Sequence, residues 1–382
     1  MNFDLTEDQS LLVDTVRDFV KRESPVERMR KLRDSELGWD RAVWKKMGEL
    51  GWLGVMFPES VGGAGMTFVE AGLIIQELGT TLVPEPMIPL LLAGSALVQA
   101  GSAEQQGRFL APSLLGDQSL ALAWSEEQSR HDPHCVRTRA EAAGSGYRLR
   151  GKKRWVLNGQ GADHLVVSAR ASGNDGSADG LSLFVIDRSL PGVRVQPVST
   201  MDGQKAAFVE LENVEVGSDR LLGAPGGSGA LLAELMDLGA AATVCEASGI
   251  LQTVLWMTRN YLMARKQFNV PIGSFQALQH RTVDMFVETE LTKSVAMLAM
   301  IKAQDPDPDE RRRAISAAKA SVIESGGFVT RQGIQLHGGI GVTDEHDVGL
   351  YFKRMHILAT LFGDDAYHVA RYASLPSFTL NV

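Results

Sequence analysis

The chain has 382 residues, of which 44% are hydrophobic and 22% are charged, and its formal net charge is −8. This composition is typical of a globular protein of two or three domains, and the negative charge argues against a nucleic-acid-binding face. Two cysteines, Cys135 and Cys245, cannot form a disulfide framework and predict a reducing compartment.

The sequence predicts neither a signal peptide nor a membrane span. Its first residues, MNFDLTEDQSLL, contain no basic region followed by an apolar one. No stretch reaches the roughly 18 uncharged apolar residues that a transmembrane helix needs. We therefore expect a cytoplasmic protein.

The first region, up to about residue 117, has the apolar spacing of helices. Helices are predicted over EDQSLLVDTVRDFVKRE, from about Thr67, where Glu70 completes a capping-box pattern, and over residues 87–100. Short β-branched-rich runs with turn residues between them then predict an antiparallel β domain. The linker GAPGGSG follows, and the next stretch, without proline as far as Phe268, predicts a helix of roughly 60 Å.

Strands and helices that do not alternate argue against a parallel α/β sheet. They favour two helical blocks that flank a β barrel or sandwich.

Four motifs resemble those of acyl-CoA dehydrogenases, in the same order and over nearly the whole chain. They are GWLGVMFPESVGGAG, KKRWVLNGQGADHLVVSAR at residues 152–170, ARKQFNVPIGSFQALQHRTVDM at 264–285 and IQLHGGIGVTDEHDVGLYFKRM at 334–355. Within the family, the RKQFNVPIGSFQALQHR run and the TLFGD tail resemble the group of pimeloyl-CoA dehydrogenase small subunits.

The resemblance implies an α+β fold with an N-terminal helical domain (1–117), a middle β-barrel domain (118–222) and a C-terminal four-helix bundle (223–382). It also implies FAD as cofactor and α,β-dehydrogenation of an acyl-CoA thioester, with hydride transfer to flavin N5. The implied partners are an electron-transfer flavoprotein or similar acceptor and further subunits, in a homo-oligomer or a hetero-oligomer with a second acyl-CoA dehydrogenase chain.

Several motif residues suit a nucleotide cofactor. Arg265 ends the long predicted helix, where a cation also stabilises the helix C-terminus, and its guanidinium fork suits a pyrophosphate. Gly338 and Gly339 allow the backbone to approach a phosphate closely. The resemblance implies FAD contacts for these three residues and for Ser125, Trp155, Phe268, Gln276 and Gln335.

The resemblance assigns these contacts to different parts of FAD. Trp155 is expected against the isoalloxazine ring, Phe268 on the adenine side and Gln335 at the pyrophosphate of a neighbouring subunit's FAD. Leu157 stands where the family has a threonine hydroxyl near flavin N5.

The carboxylate that would remove the substrate α-proton is absent from both of its usual places. Phe362 stands where most relatives have a glutamate, and is therefore expected to contact substrate. Gly239 and Ala240 stand at the second place, on the long helix.

Two nearby acids are candidates for the base. Asp364 is the first candidate, with a helix N-cap as the alternative. Glu246 is the second, about 10 Å further along the helix than Gly239, and a polar neighbour that satisfies it is the alternative.

The segment SEEQSRHDPHC replaces a small Gly/Ser-rich loop of the family. Its Arg130 is a candidate for binding an anionic acyl tail or a CoA phosphate. His131 and His134 lack the partner spacing of a metal site, so no metal is expected.

Four hypotheses remain open at this point. The chain is a dehydrogenase with a relocated base, or one subunit of a heteromer whose partner supplies the glutamate. Alternatively, it binds FAD and acyl-CoA for other chemistry, such as elimination or oxygenation, or it is a flavin-free structural relative.

Overall fold

The structure is a computed structural model that describes residues 4–376. Its α-helices are α1 (Glu7–Glu23), α2 (Val26–Leu32), α3 (Arg41–Glu49), α4 (Phe68–Gly79), α5 (Met87–Ala100), α6 (Ala103–Gln105), α7 (Ala111–Leu114), α8 (Gly229–Ala264), α9 (Gln276–Lys302), α10 (Pro308–His337), α11 (Val348–Leu358) and α12 (Asp365–Ala373). Its strands are β1 (Leu120–Ala123), β2 (Arg139–Ala143), β3 (Gly146–Leu157), β4 (His164–Arg170), β5 (Leu181–Asp187), β6 (Val193–Ser199), β7 (Lys205–Gly217), β8 (Leu221–Leu222), β9 (Lys266–Gln267) and β10 (Val270–Pro271).

The described residues form two compact units. The first, which we call the helical unit, contains the chain up to Met29, Phe68–Val83 and the residues from Ala240 onward. The second, which we call the sheet unit, contains Arg30–Thr67 and Pro84–Gly239. The boundaries of the three domains expected from sequence stay a prediction.

In the helical unit, α4 and α8 cross with their backbones in contact. A Cβ atom at Gly249 of α8 would lie 1.9 Å from the carbonyl oxygen of Gln76, and one at Gly79 of α4 would lie 2.5 Å from that of Glu246. Glycine at these positions lets the helices approach more closely than any side chain would allow. Helix α10 packs against α9, α11 and α12.

Helix α8 is the predicted long helix, and at 36 residues it is close to the expected length. By length and composition alone it could cross a membrane, but 89% of its most apolar 18-residue window is buried in the protein. Such burial is typical of a core helix, whose neighbours cover its apolar surface.

The second unit is built on one eight-stranded sheet with the order β6-β7-β3-β2-β4-β5-β8, and β1 pairs with β4. The prediction of an antiparallel β domain holds for most of the sheet, but β1 runs parallel to β4 and Arg139 of β2 also pairs in parallel with Arg170. The chain between β1 and β4 contains β2 and β3, and a long connection of this kind permits parallel neighbours.

Candidate functional site

Trp155 lies in an irregular part of strand β3, where the pairing with β7 shifts register. Its φ of 53° falls in the left-handed region, which bulky side chains rarely adopt. The indole is 53% exposed and packs edge-on against Phe208, with ring centroids 5.2 Å apart. The N–H of Arg154 donates to the carbonyl of Ser125 at 2.8 Å. The structure therefore brings Ser125 and Trp155 together, with the indole accessible to a ligand.

Glu126 ties the segment that follows Ser125 to the sheet. Its carboxylate accepts hydrogen bonds from Lys153 Nζ at 2.7 Å and from the backbone N–H groups of Arg137 at 2.8 Å and Thr138 at 3.0 Å. Burial raises the pKa of Glu126, but the charge of Lys153 and its hydrogen bond outweigh burial and hold the pKa at about 2. The ionised carboxylate thus fixes both ends of the segment that carries Arg130.

Arg130 is exposed and has a φ of 47°. Its role toward substrate stays a prediction. Within residues 4–376, no group of three His, Cys, Asp or Glu side chains is arranged to hold a metal ion.

In the helical unit, a cavity of about 550 Å³ lies at the C-terminal ends of α8 and α10. Four of the predicted FAD contacts line it: Arg265, Gln335, Gly338 and Gly339. Arg265 lies 70 residues before Gln335 in sequence, so its convergence with Gln335 and the two glycines is a result of the fold.

The chemistry of this cavity suits a dinucleotide phosphate. Arg265 and Arg281 provide two exposed cations. Gly338, with a φ of 65°, and Gly339 have no protein atom within 4 Å of where a Cβ would lie, so a ligand has room to approach their backbone. His337 lines the cavity, and its buried Nε2 has no hydrogen-bond partner among the described residues. The residues present therefore fit the phosphate part of FAD.

Arg281 was not predicted from the sequence. It lies in the QALQHR run, but a single cation near a helix start gives no local signal of a ligand.

Phe268 and Gln276 do not line this cavity. Phe268 is 86% exposed with a φ of 51°, and its ring centroid lies 6.1 Å from that of Phe275. Gln276 is exposed at the first turn of α9. Their contacts with FAD stay a prediction.

The turn between α11 and α12 has a left-handed backbone. Phe362 is buried with a φ of 57°, and Gly363 follows with a φ of 120°. Asp364 caps α12, since its Oδ1 accepts the N–H of Tyr367 at 2.9 Å. One carboxylate oxygen of Asp364 thus forms the helix N-cap that the sequence analysis gave as the alternative to a base. A role of Asp364 as base stays a prediction.

Glu246 forms a buried bidentate ion pair with Arg354. Its two oxygens accept from Arg354 Nε at 2.6 Å and Nη2 at 2.8 Å. This geometry supports the alternative of a carboxylate satisfied by a polar neighbour, because both oxygens are occupied. Gly239 and Ala240 are buried and provide no acid or base.

Eight non-glycine residues of the described chain have positive φ angles, and four of them are predicted site residues: Arg130, Trp155, Phe268 and Phe362. Strained backbone persists only where surrounding contacts enforce it, and it concentrates at functional sites. The backbone strain therefore supports a functional role for these four residues, independently of the sequence motifs.

An arginine-lined cavity in the helical unit and an exposed aromatic side chain on the β-sheet fit a protein that binds a nucleotide cofactor. Three family models match the chain in order: acyl-CoA dehydrogenase N-terminal domain at residues 6–117, middle domain at 121–214 and C-terminal domain at 227–374. The chain belongs to the acyl-CoA dehydrogenase family. This membership confirms the fold class, the FAD cofactor and the acyl-CoA oxidoreductase activity that the motifs predicted.

Similar proteins cover almost the whole chain. The probable acyl-CoA dehydrogenase YngJ of Bacillus subtilis is 30% identical over 91% of this chain and 92% of its own length. The acyl-CoA dehydrogenase IpdE2 of Mycolicibacterium smegmatis is 31% identical over 94% and 96%. The solved ChsE4-ChsE5 complex from Mycobacterium tuberculosis includes a chain that is 28% identical, with a TM-score of 0.85 and 97% of both chains covered.

Proposed function

We propose that the chain is a subunit of an FAD-dependent acyl-CoA dehydrogenase that forms the α,β double bond of an acyl-CoA thioester with an altered base position. The observation that carries this proposal is the convergence of Arg265, Gln335 and the two loop glycines on one cavity. In the reaction, a base takes the α-proton, and bound FAD supplies the acceptor for the β-hydride and so takes two electrons. The product is the enoyl-CoA.

The two predicted sets of contacts suit different parts of FAD. In the helical unit, Arg265 and Arg281 would neutralise the pyrophosphate, and the backbone at Gly338 would donate to it. In the sheet unit, Trp155 would cover the flavin ring, and Ser125 would offer the hydroxyl that Leu157 lacks.

Flavin content of purified variants tests the cofactor site. We expect Arg265→Ala to lose a charge-assisted contact worth about 1.5–3 kcal/mol, and hence most of its bound FAD in dilute solution. The matched control is Arg148→Ala, which removes a partly exposed arginine of the sheet unit that pairs with Glu215. Full flavin occupancy in Arg265→Ala, measured by absorbance after gel filtration, would contradict the assignment.

We propose Asp364 as the base, supported by its position two residues after Phe362, the residue that stands where most relatives have a glutamate. Asp364→Asn keeps a capping oxygen but removes the charge. We expect anaerobic flavin bleaching by acyl-CoA to slow by roughly 10²–10⁴-fold, the usual loss when a general base is removed.

Glu246→Gln is the comparison variant for the base. It leaves Arg354 buried without its counter-charge, which typically costs about 3–5 kcal/mol of stability, so its main effect is expected in unfolding and not in bleaching. Equal bleaching rates in the wild type and Asp364→Asn would remove Asp364 as base.

A second candidate function is that of one chain in a heteromeric dehydrogenase, whose partner supplies the glutamate. Phe362, Gly239 and Ala240 at both usual base positions favour it, and so does the resemblance to a small subunit. Turnover with an artificial electron acceptor distinguishes the two. A chain that binds FAD and acyl-CoA but turns over only with a homologous subunit supports the heteromer.

The physiological acceptor is proposed to be an electron-transfer flavoprotein or a similar carrier. The proposed location is the cytoplasm.

A further inference from the structure

A buried lysine holds one end of the segment that precedes Gly363. Lys319 of α10 is 2% exposed, and its ammonium donates to the carbonyl of Leu358 at 2.5 Å and to Thr243 Oγ1 at 2.7 Å. Leu358 is the last residue of α11, where carbonyl groups lack partners within the helix. Lys319 thus joins the end of α11 to α8.

A buried histidine holds the other end. His368 of α12 is 1% exposed, with Nε2 lying 3.1 Å from the carbonyl oxygen of Phe362 and Nδ1 lying 3.3 Å from Ser316 Oγ. Because a carbonyl only accepts, Nε2 carries a proton, and in the neutral imidazole Nδ1 then accepts from the serine hydroxyl. Arg371 also donates to Ser316 Oγ, at 3.3 Å.

Both attachments depend on one face of α10. Ser316 and Lys319 are three residues apart, and side chains with this spacing are neighbours on a helix surface. A Cβ at Gly363 would lie 2.3 Å from His368 Nε2, so only glycine fits beside this imidazole. The left-handed backbone of Phe362 is therefore enforced from several sides. We call Ser316, Lys319 and His368 the carbonyl clamp.

We propose that the carbonyl clamp fixes Phe362 as a rigid wall of the acyl site, so that Phe362 sets the size of the acyl group that binds. This inference rests on the proposed function and on the contact between Phe362 and substrate that the sequence predicts. An aromatic ring in place of a carboxylate reduces the space in the acyl site. It excludes larger acyl groups reliably only if its backbone does not move. The clamp residues are positioning residues that act through Phe362.

The test is a double-mutant cycle on acyl-group preference. Dissociation constants of butyryl-CoA and octanoyl-CoA are measured from the flavin absorbance change in the wild type, Phe362→Ala, His368→Leu and the double variant. We expect Phe362→Ala to favour octanoyl-CoA and His368→Leu to shift the preference in the same direction by roughly fivefold, the worth of one neutral hydrogen bond. In the Phe362→Ala background, His368→Leu should cause no further change in acyl-CoA preference, because the aromatic ring through which His368 acts is absent.

Matched variants separate positioning from general damage. His368→Gln keeps an Nε donor and should retain most of the wild-type preference. His356→Leu removes a histidine bonded to the carbonyl of Phe352 within α11, and should leave the preference unchanged. Ser316→Ala is the milder change if His368→Leu does not fold. Amide hydrogen exchange over residues 359–364 should rise in His368→Leu and stay near wild type in His368→Gln.

Additive shifts in the double variant, or an unchanged preference in Phe362→Ala, overturn the inference while leaving the proposed function intact. A flavin-bound wild type that responds to neither acyl-CoA overturns both.

Discussion

Among single residues, Glu126 is the clearest case of a carboxylate whose ionisation supports the fold. Its folded pKa of about 2 lies below the ordinary value of 4.5, so its stabilising contribution is full above pH 4.5 and is lost as the pH falls toward 2. We expect Glu126→Gln to be less stable than the wild type at pH 7, because Lys153 is left buried without a counter-charge. It should also lose less stability between pH 4.5 and 2. Urea unfolding at several pH values measures both effects, and parallel pH profiles would contradict the assignment.

At the residue level, motifs predicted part of the site, although Arg281 lies in a motif and was not predicted. Arg265, Gln335 and the loop glycines lie in motifs, and they meet in one cavity. Arg354, the partner of Glu246, lies 108 residues away in sequence. No local pattern connects two charges at that separation, since helix packing alone brings them together.

At the level of elements, the crossing of α4 and α8 depends on glycine. We expect Gly249→Ala to destabilise the protein by about 1–3 kcal/mol, because its methyl group would overlap the Gln76 carbonyl and one helix must move. This holds although alanine is the better helix former by about 1 kcal/mol. Gly107→Ala is the control, since no atom lies within 4 Å of the position of its Cβ. Equal midpoints in chemical denaturation for the two variants would show that the close approach of α4 and α8 at Gly249 does not determine the stability of the protein.

Helices were easier to predict than strand order. The predicted helix EDQSLLVDTVRDFVKRE is α1 itself, with the capping box that Thr6 and Gln9 complete, and the predicted helix at residues 87–100 is α5. Both follow from local periodicity and end signals. The parallel pairing of β1 with β4 depends on how the chain between them is routed, which residue alternation within a strand does not encode.

For the whole molecule, an exposed apolar surface on the helical unit predicts assembly. Several large apolar side chains of α8 and α9 are at least 45% exposed: Trp256, Met263, Val283, Phe286, Val287 and Leu291. Four of them line a groove of about 340 Å³, namely Trp256, Met263, Val283 and Phe286. Contiguous apolar surface of this kind marks a protein interface in many proteins.

We therefore expect sedimentation velocity at micromolar concentration to show an oligomer that Phe286→Glu dissociates, because a charge would be buried in the interface. The control is Leu11→Glu, which changes an apolar residue of α1 that is 68% exposed and lies outside this surface. It should leave the sedimentation coefficient unchanged. A wild type that sediments as a monomer would remove the proposed assembly.

With Trp155 as the proposed flavin contact, its left-handed backbone is expected to lower the stability of the protein while supporting cofactor binding. Strain of this kind costs about 1–3 kcal/mol, and the flavin-free protein bears it without compensation from a ligand. Trp155→Gly should therefore cost the flavin-free protein less than about 1 kcal/mol in urea unfolding, although truncating a large aromatic in a core costs about 3–5 kcal/mol. The same variant should purify nearly colourless. A laboratory selection for thermal tolerance alone would thus tend to replace Trp155, the proposed flavin contact, and a screen of this protein needs colour as a second criterion.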